Sequence, residues 1–181
     1  METGDLLHPA RKVADSRSEM TELVLPNDAN TLGNLLGGRL MHYIDLVGAM
    51  AAYRHARSYV VTASMDHIDF IAPVHVGDLL ILKSSLNRAF RTSMEVGVKV
   101  WVEHTIDSTL RHVASAYLTF VAVNPQGGRV RVPPLEPETE EDKRRYHDAG
   151  RRREQGELER ERKQRARSET LAAAGHEYTS T

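Results

Sequence analysis

The chain of 181 residues contains no cysteine, which excludes disulfide bridges, thiolate nucleophiles and cysteine-bound zinc sites. It also lacks an excess of charge, because 24 lysines and arginines nearly balance 25 aspartates and glutamates. A global positive field that would attract nucleic acid is therefore not expected. No stretch approaches the roughly 18 uninterrupted apolar residues that span a bilayer. We expect a cytoplasmic protein that binds neither nucleic acid nor membrane.

Two common hydrolase signatures are missing as well. The nine histidines show no HxH or HExxH spacing, and the chain has no GxSxG. The sequence therefore disfavours a metallohydrolase and a serine hydrolase, and it predicts neither a metal site nor a bound cofactor.

The chain divides into three parts by composition. Residues 1–17 carry charges and breakers and predict a flexible leader, and residues 18–135 predict one folded domain. Residues 136–181 predict a charged tail, since Glu136 to Glu169 hold 11 acidic and 11 basic residues with almost no apolar periodicity. We expect this tail to be a solvated helix or partly disordered, outside the core.

The order of predicted elements indicates an α+β fold. Met20 to Leu25 predicts a short strand that Pro26 stops, and Arg39 to Arg57 predicts a helix that Gly37-Gly38 opens. Four strand-like runs follow, at Tyr59 to Ile71, Leu79 to Ala89, Ser93 to His104 and Leu110 to Asn124. One helix with four consecutive strands after it rules out a doubly wound parallel sheet. We predict a curved antiparallel sheet of about five strands wrapped around one long helix.

The predicted helix carries one isolated acidic residue. Asp45 is the only acidic side chain between Leu35 and Tyr59, and its helical neighbours are mostly small or apolar. A lone carboxylate in such surroundings is costly unless it is hydrogen-bonded or used in chemistry. A structural role, satisfied by a neighbouring amide or hydroxyl, and a catalytic role are both open.

Gly37 and Gly38 leave unpaired backbone N–H groups at the positive end of the helix dipole. Such donors suit a developing oxyanion. Asp45 follows Gly38 by close to two turns, which places both on one face roughly 10 Å apart along the axis. A carbonyl at the helix start with a water beyond it fits between them, although glycine is also common at ordinary helix entries.

Two further polar groups lie in predicted loops. Asn30 belongs to a segment of turn residues, where asparagine is often only a turn or cap residue. Arg88, Arg91, Thr92 and Ser93 lie at the connection between two predicted strands. Guanidinium, hydroxyl and turn amide groups can together hold a phosphate, although a basic hairpin turn is more often simply solvated.

Several short motifs follow one another along the chain from about Thr21 to Arg162. They are Pro26-Asn27-Asp28-Ala29-Asn30, Gly33-Asn34-Leu35-Leu36-Gly37-Gly38, Met41-His42-Tyr43-Ile44-Asp45, Val61-Thr62-Ala63, Asp69-Phe70, Pro73-Val74, Gly77-Asp78, Arg91-Thr92-Ser93-Met94-Glu95-Val96, Val132-Pro133-Pro134-Leu135 and Glu138-Thr139-Glu140. In this order they resemble the acyl-CoA thioester hydrolases of hotdog fold, which include bacterial cytosolic acyl-CoA thioesterases and the brain-type acyl-CoA hydrolase.

The resemblance implies roles for particular residues. Asn30 and Asp45 match the catalytic pair of that family, and Gly37 and Gly38 match the glycines that polarise the thioester carbonyl. Asp45 would act as general base toward water or as nucleophile through an anhydride, both of which are available to a carboxylate. The substrate implied is an acyl-CoA, with coenzyme A as product and no separate cofactor.

The residues predicted to bind phosphate also match the family in part. Residues matching Arg91, Thr92 and Ser93 lie against coenzyme A there, and we expect Arg88 to join them. Two positions depart from the usual pattern: Leu36 stands where bacterial relatives usually have an aromatic residue, and Phe90 stands where many have glycine.

The resemblance also implies self-association. Some animal relatives divide the asparagine and the aspartate between two domains of one chain, whereas this chain has both in one domain. We therefore expect a homodimer with two equivalent composite sites, assembled as a trimer of dimers.

Two other functions are weighed against hydrolysis. A hotdog dehydratase needs a histidine beside its acidic residue, and His42 is the nearest candidate to Asp45 but lacks the surrounding motif. A non-catalytic acyl-CoA sensor would use the same pocket to regulate a partner. Regulators of that type carry a DNA-binding domain, for which the predicted leader is too short.

Overall fold

The computed structural model describes residues 9–106 and 108–177, with side chains as far as Ser168. In chain order the elements are β1 (Arg11–Lys12), α1 (Val13–Ser16), β2 (Ser18–Leu23), a 3-10 turn (Pro26–Asp28), α2 (Gly37–Ala56), β3 (Tyr59–Phe70), β4 (Leu79–Ala89), β5 (Ser93–Glu103), β6 (Leu110–Val123), β7 (Leu135–Glu136) and α3 (Glu140–Glu177). The predicted α+β class is confirmed, and the central helix and five main strands lie within a few residues of their predicted bounds.

Five strands form one antiparallel sheet in the order β2-β4-β5-β6-β3. Short connections make β4, β5 and β6 consecutive neighbours, as hairpins favour. β3 instead pairs with β6 at the far side, with Thr62 opposite Phe120. β3 is therefore an edge strand of this sheet, and β2 is the other.

α2 packs against the inner face of the sheet. Alternate residues of β5 and β6 are fully or almost fully buried on that face, namely Met94, Val96, Val98, Val100, Ala114, Ala116, Leu118, Phe120 and Ala122. The helix approaches them closely at Gly48, where a Cβ atom would lie 3.2 Å from two ring carbons of Phe120. A larger residue at Gly48 would push the helix away from the sheet.

The opposite side of α2 is not covered by its own sheet. Leu46, Met50 and Tyr53 form an apolar strip on that side, and between 37% and 46% of each residue is exposed. A helix with apolar residues on nearly every side normally has partners on more than one side. The strip is therefore the part of the helix that one sheet leaves open.

The structure differs from the sequence prediction in the leader. Residues 9–17 are not loose, because Val13 belongs to the core and Ser16 is buried. The Ser16 hydroxyl donates a hydrogen bond to the Val13 carbonyl at 2.7 Å and accepts one from the Leu86 amide at 3.0 Å. Elements of two and four residues are too short to show the periodicity on which the prediction relied. Residues 1–8 lie outside the described part.

The charged tail is a helix, which is one of the two predicted forms, but its first part packs against the outer face of the sheet instead of being fully solvated. Thr139 and Asp142 exchange reciprocal hydrogen bonds of 3.1 Å at its start, the arrangement of a capping box. Asp142, Ala149 and Gly150 are buried, whereas every residue from Glu157 to Ser168 is exposed. Only the first part of α3 therefore belongs to the folded domain. Within the described residues, no helix is long and apolar enough to cross a membrane.

A buried histidine joins the end of α2 to the segment before β7. His55 is fully buried, and its Nε2 donates a hydrogen bond to the Pro133 carbonyl at 2.8 Å. Its Nδ1 is buried without a hydrogen-bond partner among the described residues. Burial lowers the pKa of His55 below its ordinary value of 6.5, and the nearby Arg11 lowers it further. Burial therefore favours the neutral form of His55 in the folded protein.

The lowered pKa predicts acid sensitivity of the fold. As the pH falls through about 6.5, His55 binds a proton more readily in the unfolded chain than in the folded chain. The free energy of unfolding should therefore fall as the pH drops from about 7 to about 5. His55→Gln keeps a donor for Pro133 but does not titrate, so its urea denaturation midpoint should vary less over that range. The exposed His147 supplies the control, because His147→Gln should keep the full pH dependence. Equal slopes in wild type and His55→Gln would contradict the assignment.

Candidate active site

Asp45 is bound by the edge strand of the sheet. The hydroxyl of Thr62 in β3 donates a hydrogen bond to Asp45 Oδ1 at 2.7 Å. No group among the described residues donates to Oδ2, and Asp45 is only half-buried. Thr62 therefore fixes one oxygen of the carboxylate and leaves the other open to a reactant.

The start of α2 presents two free amide groups. The first hydrogen bonds at this end come from the Arg39 and Leu40 amides to the Leu36 carbonyl, at 2.9 and 3.0 Å. Within the described residues, the N–H groups of Gly37 and Gly38 have no acceptor. A Cβ atom at Gly38 would meet nothing within 4 Å, so the space beside these donors is open. The sequence predicted this arrangement from the glycine pair alone.

Asn30 lies in the loop that precedes the helix. Its Oδ1 accepts hydrogen bonds from the Leu32 and Asn34 amides at 2.9 and 3.1 Å, so the residue does shape a turn. Its side chain is exposed, and no partner among the described residues uses the two hydrogens on Nδ2. A turn role and a binding role are therefore compatible, because they use different atoms of one amide.

An ion pair fastens the Asn30 loop to the helix start. Arg39 Nε lies 2.8 Å from Oδ1 of the buried Asp28, and 3.2 Å from the hydroxyl of Tyr43. The Tyr43 hydroxyl and the charge of Asp28 both raise the pKa of Arg39. The Leu36 amide also donates to the Asp28 carbonyl at 2.9 Å. The loop and the glycine amides are thus positioned as one unit, by a pair that the sequence did not predict.

The structure brings the predicted residues together in two groups. Asn30, Gly37 and Gly38 lie at one end of α2, and Asp45 lies about 10 Å further along the axis at 1.5 Å per residue. Within one described chain, no hydrogen bond joins Asn30 to Asp45. His42, the residue weighed for a dehydratase, is exposed with its ring centroid 5.9 Å from that of Tyr43. Nothing in the described contacts links His42 to Asp45.

The residues predicted to bind phosphate lie at the hairpin between β4 and β5. Its loop, Phe90–Thr92, is closed by a hydrogen bond of 2.8 Å from the Phe90 amide to the Ser93 carbonyl. Arg91 is exposed, whereas Ser93 is buried. Arg88 faces α3, with its guanidinium 4.5 Å from the centroid of the Tyr146 ring. Of the four predicted residues, Arg91 is therefore the most open to a ligand.

The strand register relates this hairpin to Asp45. Thr62 is opposite Phe120 in β6, and Phe120 is opposite Met94 in β5. The row of the sheet that contains Thr62 therefore passes through Met94, the residue next to Ser93 of the hairpin. Thr62 and Met94 are two inter-strand spacings apart, which is a distance of about 10 Å across the sheet.

One functional contact was missed by the sequence reasoning. Thr62 belongs to the motif Val61-Thr62-Ala63 that carried part of the resemblance, but it received no role. Threonine is common in strands for reasons of shape alone. Only the register of β3 relative to α2 shows that its hydroxyl reaches the carboxylate of Asp45.

Residues 32–109 match the thioesterase superfamily. An uncharacterised acyl-CoA thioester hydrolase of Bacillus subtilis is 42% identical over 128 residues, which are 71% of this chain and 74% of that protein. Acyl-coenzyme A thioesterase 11 of the mouse is 37% identical over 80% of this chain, which spans only 24% of that longer protein.

Solved structures show the same likeness. An acyl-CoA hydrolase of Staphylococcus aureus in complex with butyryl coenzyme A, coenzyme A and coenzyme A disulfide is 34% identical, with a TM-score of 0.82 over 91% of this chain and 99% of that chain. Further structures of the same enzyme carry alanine in place of an aspartate, an asparagine or a threonine. The structure of an apo-hexameric acyl-CoA thioesterase is 41% identical, with a TM-score of 0.80 over 83% of this chain and 96% of that chain. The chain therefore belongs to the hotdog-fold thioesterase superfamily, within its acyl-CoA thioester hydrolases.

Proposed function

We propose that this protein hydrolyses acyl-CoA thioesters to the free acid and coenzyme A. The observation that carries the proposal is the half-open carboxylate of Asp45, with Oδ1 bound by Thr62 and Oδ2 without a protein partner among the described residues. Family membership supplies the substrate class, and the geometry supplies a base and free amide donors.

The proposed reaction starts with a water held by Asp45. The carboxylate accepts a proton as the water oxygen forms a bond to the thioester carbon, and the Gly37 and Gly38 amides stabilise the resulting oxyanion. Collapse of the tetrahedral intermediate breaks the carbon–sulfur bond, and the proton held by Asp45 passes to the departing sulfur, so that coenzyme A leaves as the thiol and the carboxylate is regenerated. The alternative, attack by Asp45 itself, passes through an anhydride that water then opens. A single turnover in isotopically labelled water identifies the anhydride route when water opens the anhydride at the Asp45 carbon, because the acid then carries an unlabelled enzyme oxygen and Asp45 gains the label.

A comparison of spacing supports roles for three residues. In the S. aureus enzyme, the asparagine, aspartate and threonine changed to alanine are separated along the chain by the same numbers of residues as Asn30, Asp45 and Thr62. The asparagine-to-alanine structure was determined with coenzyme A bound. We assign Asn30 to orienting the water or the carbonyl, and Thr62 to positioning Asp45.

Among the predictions for the active site, the first tests the reaction itself. Purified protein should release free thiol from acyl-CoA in the presence of a chelator. Asp45→Asn should lower kcat by about a hundredfold or more, because it keeps the shape but removes the base. Thr62→Val should lower kcat by about tenfold, since one hydrogen bond to a carboxylate is lost, and Thr62→Ser should restore most of it. No thiol release from acyl-CoA of any chain length would favour the sensor reading instead.

A second prediction concerns Arg91 in the hairpin loop. We assign Arg91, with Thr92 and Ser93, to the phosphates of coenzyme A, because Arg91 is exposed beside turn amides. Arg91→Ala should raise KM by about tenfold and leave kcat nearly unchanged, because a contact remote from the carbonyl acts equally in ground and transition states. The effect should shrink at high salt. A large loss of kcat at unchanged KM would contradict the assignment.

We further propose that a second copy of the chain completes the site. The apolar strip of α2 and the free edge of β3 border Asp45 on the side that its own sheet leaves open. Pairing of two copies across a two-fold axis would cover both strips and bring Asn30 of each subunit to Asp45 of the other. The hexameric relatives suggest that three such dimers assemble further.

The third prediction follows from this shared site. Asn30→Ala and Asp45→Ala should each be inactive as homodimers, but a mixed dimer contains one intact Asn30–Asp45 pair in one of its two sites. Co-refolding of the two variants should therefore restore up to about half of the wild-type activity in each mixed dimer. Native mass spectrometry, with one of the two variants labelled with nitrogen-15, checks that mixed dimers form. Mixed dimers as inactive as their parents would mean that Asn30 acts within its own chain.

A further inference from the structure

The hairpin that carries Arg91 is irregular just before its loop. The register of β4 and β5 shifts between Leu86 and Arg88, so Asn87 is the extra residue of a β-bulge. Asn87 Nδ2 donates a hydrogen bond to Glu95 Oε1 at 2.8 Å, across the hairpin. A Cβ atom at Gly97 would lie 2.9 Å from Nδ2, so a glycine there makes room for this contact. The bulge sets the direction in which the loop leaves the sheet.

A buried carboxylate ties this bulge to α3. Glu95 is only 5% exposed, and Arg152 of α3 binds both of its oxygens, at 3.1 and 2.6 Å. The guanidinium of Arg152 also lies 3.8 Å from the ring centroid of Tyr117. A buried carboxylate is strongly destabilising without its partner. Docking of α3 therefore stabilises the hairpin in its bulged shape.

The residues on either side of the bulge and loop also contact α3. Arg88 Nη1 donates to the Tyr146 carbonyl at 3.4 Å, and a Cβ atom at Gly150 would lie 2.1 Å from the same Nη1. The Phe90 ring is close to two guanidinium groups, with its centroid 5.5 Å from Cζ of Arg88 and 5.3 Å from Cζ of Arg153. Arg88 thus reaches the backbone of α3 only because residue 150 has no side chain.

All of these contacts join α3 to the hairpin between β4 and β5. We infer that α3 braces the hairpin between β4 and β5, which means that it holds the hairpin in the shape that binds coenzyme A. The positioning residues of this brace, which act on substrate affinity through Arg91, are Arg88, Glu95, Gly150 and Arg152. This rests on the proposed function of Arg91. It gives Arg88 a supporting task in place of the direct phosphate contact that the sequence predicted.

Two glycines of α3 provide a matched test. Gly150→Ala should displace Arg88 and raise KM for an acyl-CoA by about three- to tenfold, the size that loss of a cation–π contact gives, with kcat within about twofold of wild type. Gly156→Ala should leave KM unchanged, because a Cβ atom there meets nothing within 4 Å. Alanine favours helix over glycine at both positions, so a purely structural role for α3 predicts unchanged KM in both variants.

A second variant addresses the ion pair. Arg152→Met should raise KM more than Gly150→Ala because Glu95 loses its partner, and Arg152→Lys should lie between that variant and wild type, since lysine keeps the charge but not the two-oxygen contact. Circular dichroism checks that each variant is folded. If Arg152→Met does not fold, the two glycine variants still test whether α3 affects substrate affinity.

Arg91→Ala separates failure of the brace from failure of the proposed function. Unchanged KM in Arg91→Ala overturns the contact of this hairpin with coenzyme A, and the brace with it. A raised KM in Arg91→Ala together with unchanged KM in Gly150→Ala overturns the brace alone. If both variants raise KM, the double variant should show less than the product of the two increases, because both act through Arg91. A full product would mean that α3 does not act through that residue.

Discussion

The packing of α2 against the inner face of the sheet is the constraint on which the rest of the structure depends. Ile44, Val47 and Ala51 have no exposed surface, and Gly48 lets the helix come into contact with Phe120. Because protein interiors are close-packed, this contact fixes the position and rotation of the helix relative to the strands. The free amides at its start and the carboxylate two turns later are therefore placed by the core.

The same packing explains why the proposed site lies at an edge. One five-stranded sheet covers only one side of α2, and Asp45 is half-buried at the border between the covered side and the apolar strip. Thr62 reaches it from β3, the strand whose other side is free. A carboxylate deeper in the core would be inaccessible, and one on a fully solvated face would lack a defined orientation. The border position provides access on one side and a fixed partner on the other.

Much of the fold was predictable from the sequence, because it depends on local patterns. Alternation in β5, the glycine pair at the start of α2 and the turn residues around Pro26 each act over a few positions, and each element formed within a few residues of its predicted bounds. Residues 9–17 were expected to be loose but are ordered, because residues such as Ser16 are held by distant partners such as Leu86. Within the site, the identities of Asp45 and Asn30 came from motifs. The partners Thr62, Arg39 and Arg152 depend on register and docking, which no short pattern encodes.

The alternation of a single strand links the two ends of the proposed substrate site. In β5, Met94 points to the inner face in the row that contains Thr62, whereas Glu95 points to the outer face and binds Arg152. Adjacent residues of one strand are thus held from opposite sides, by the core and by α3. A coenzyme A thioester is long and flexible, so its carbonyl reaches a base reproducibly only if its phosphates are held at a fixed distance from that base. A rigid row of three paired strands between Thr62 and Met94 supplies such a distance, and α3 extends that rigidity to the loop beyond it.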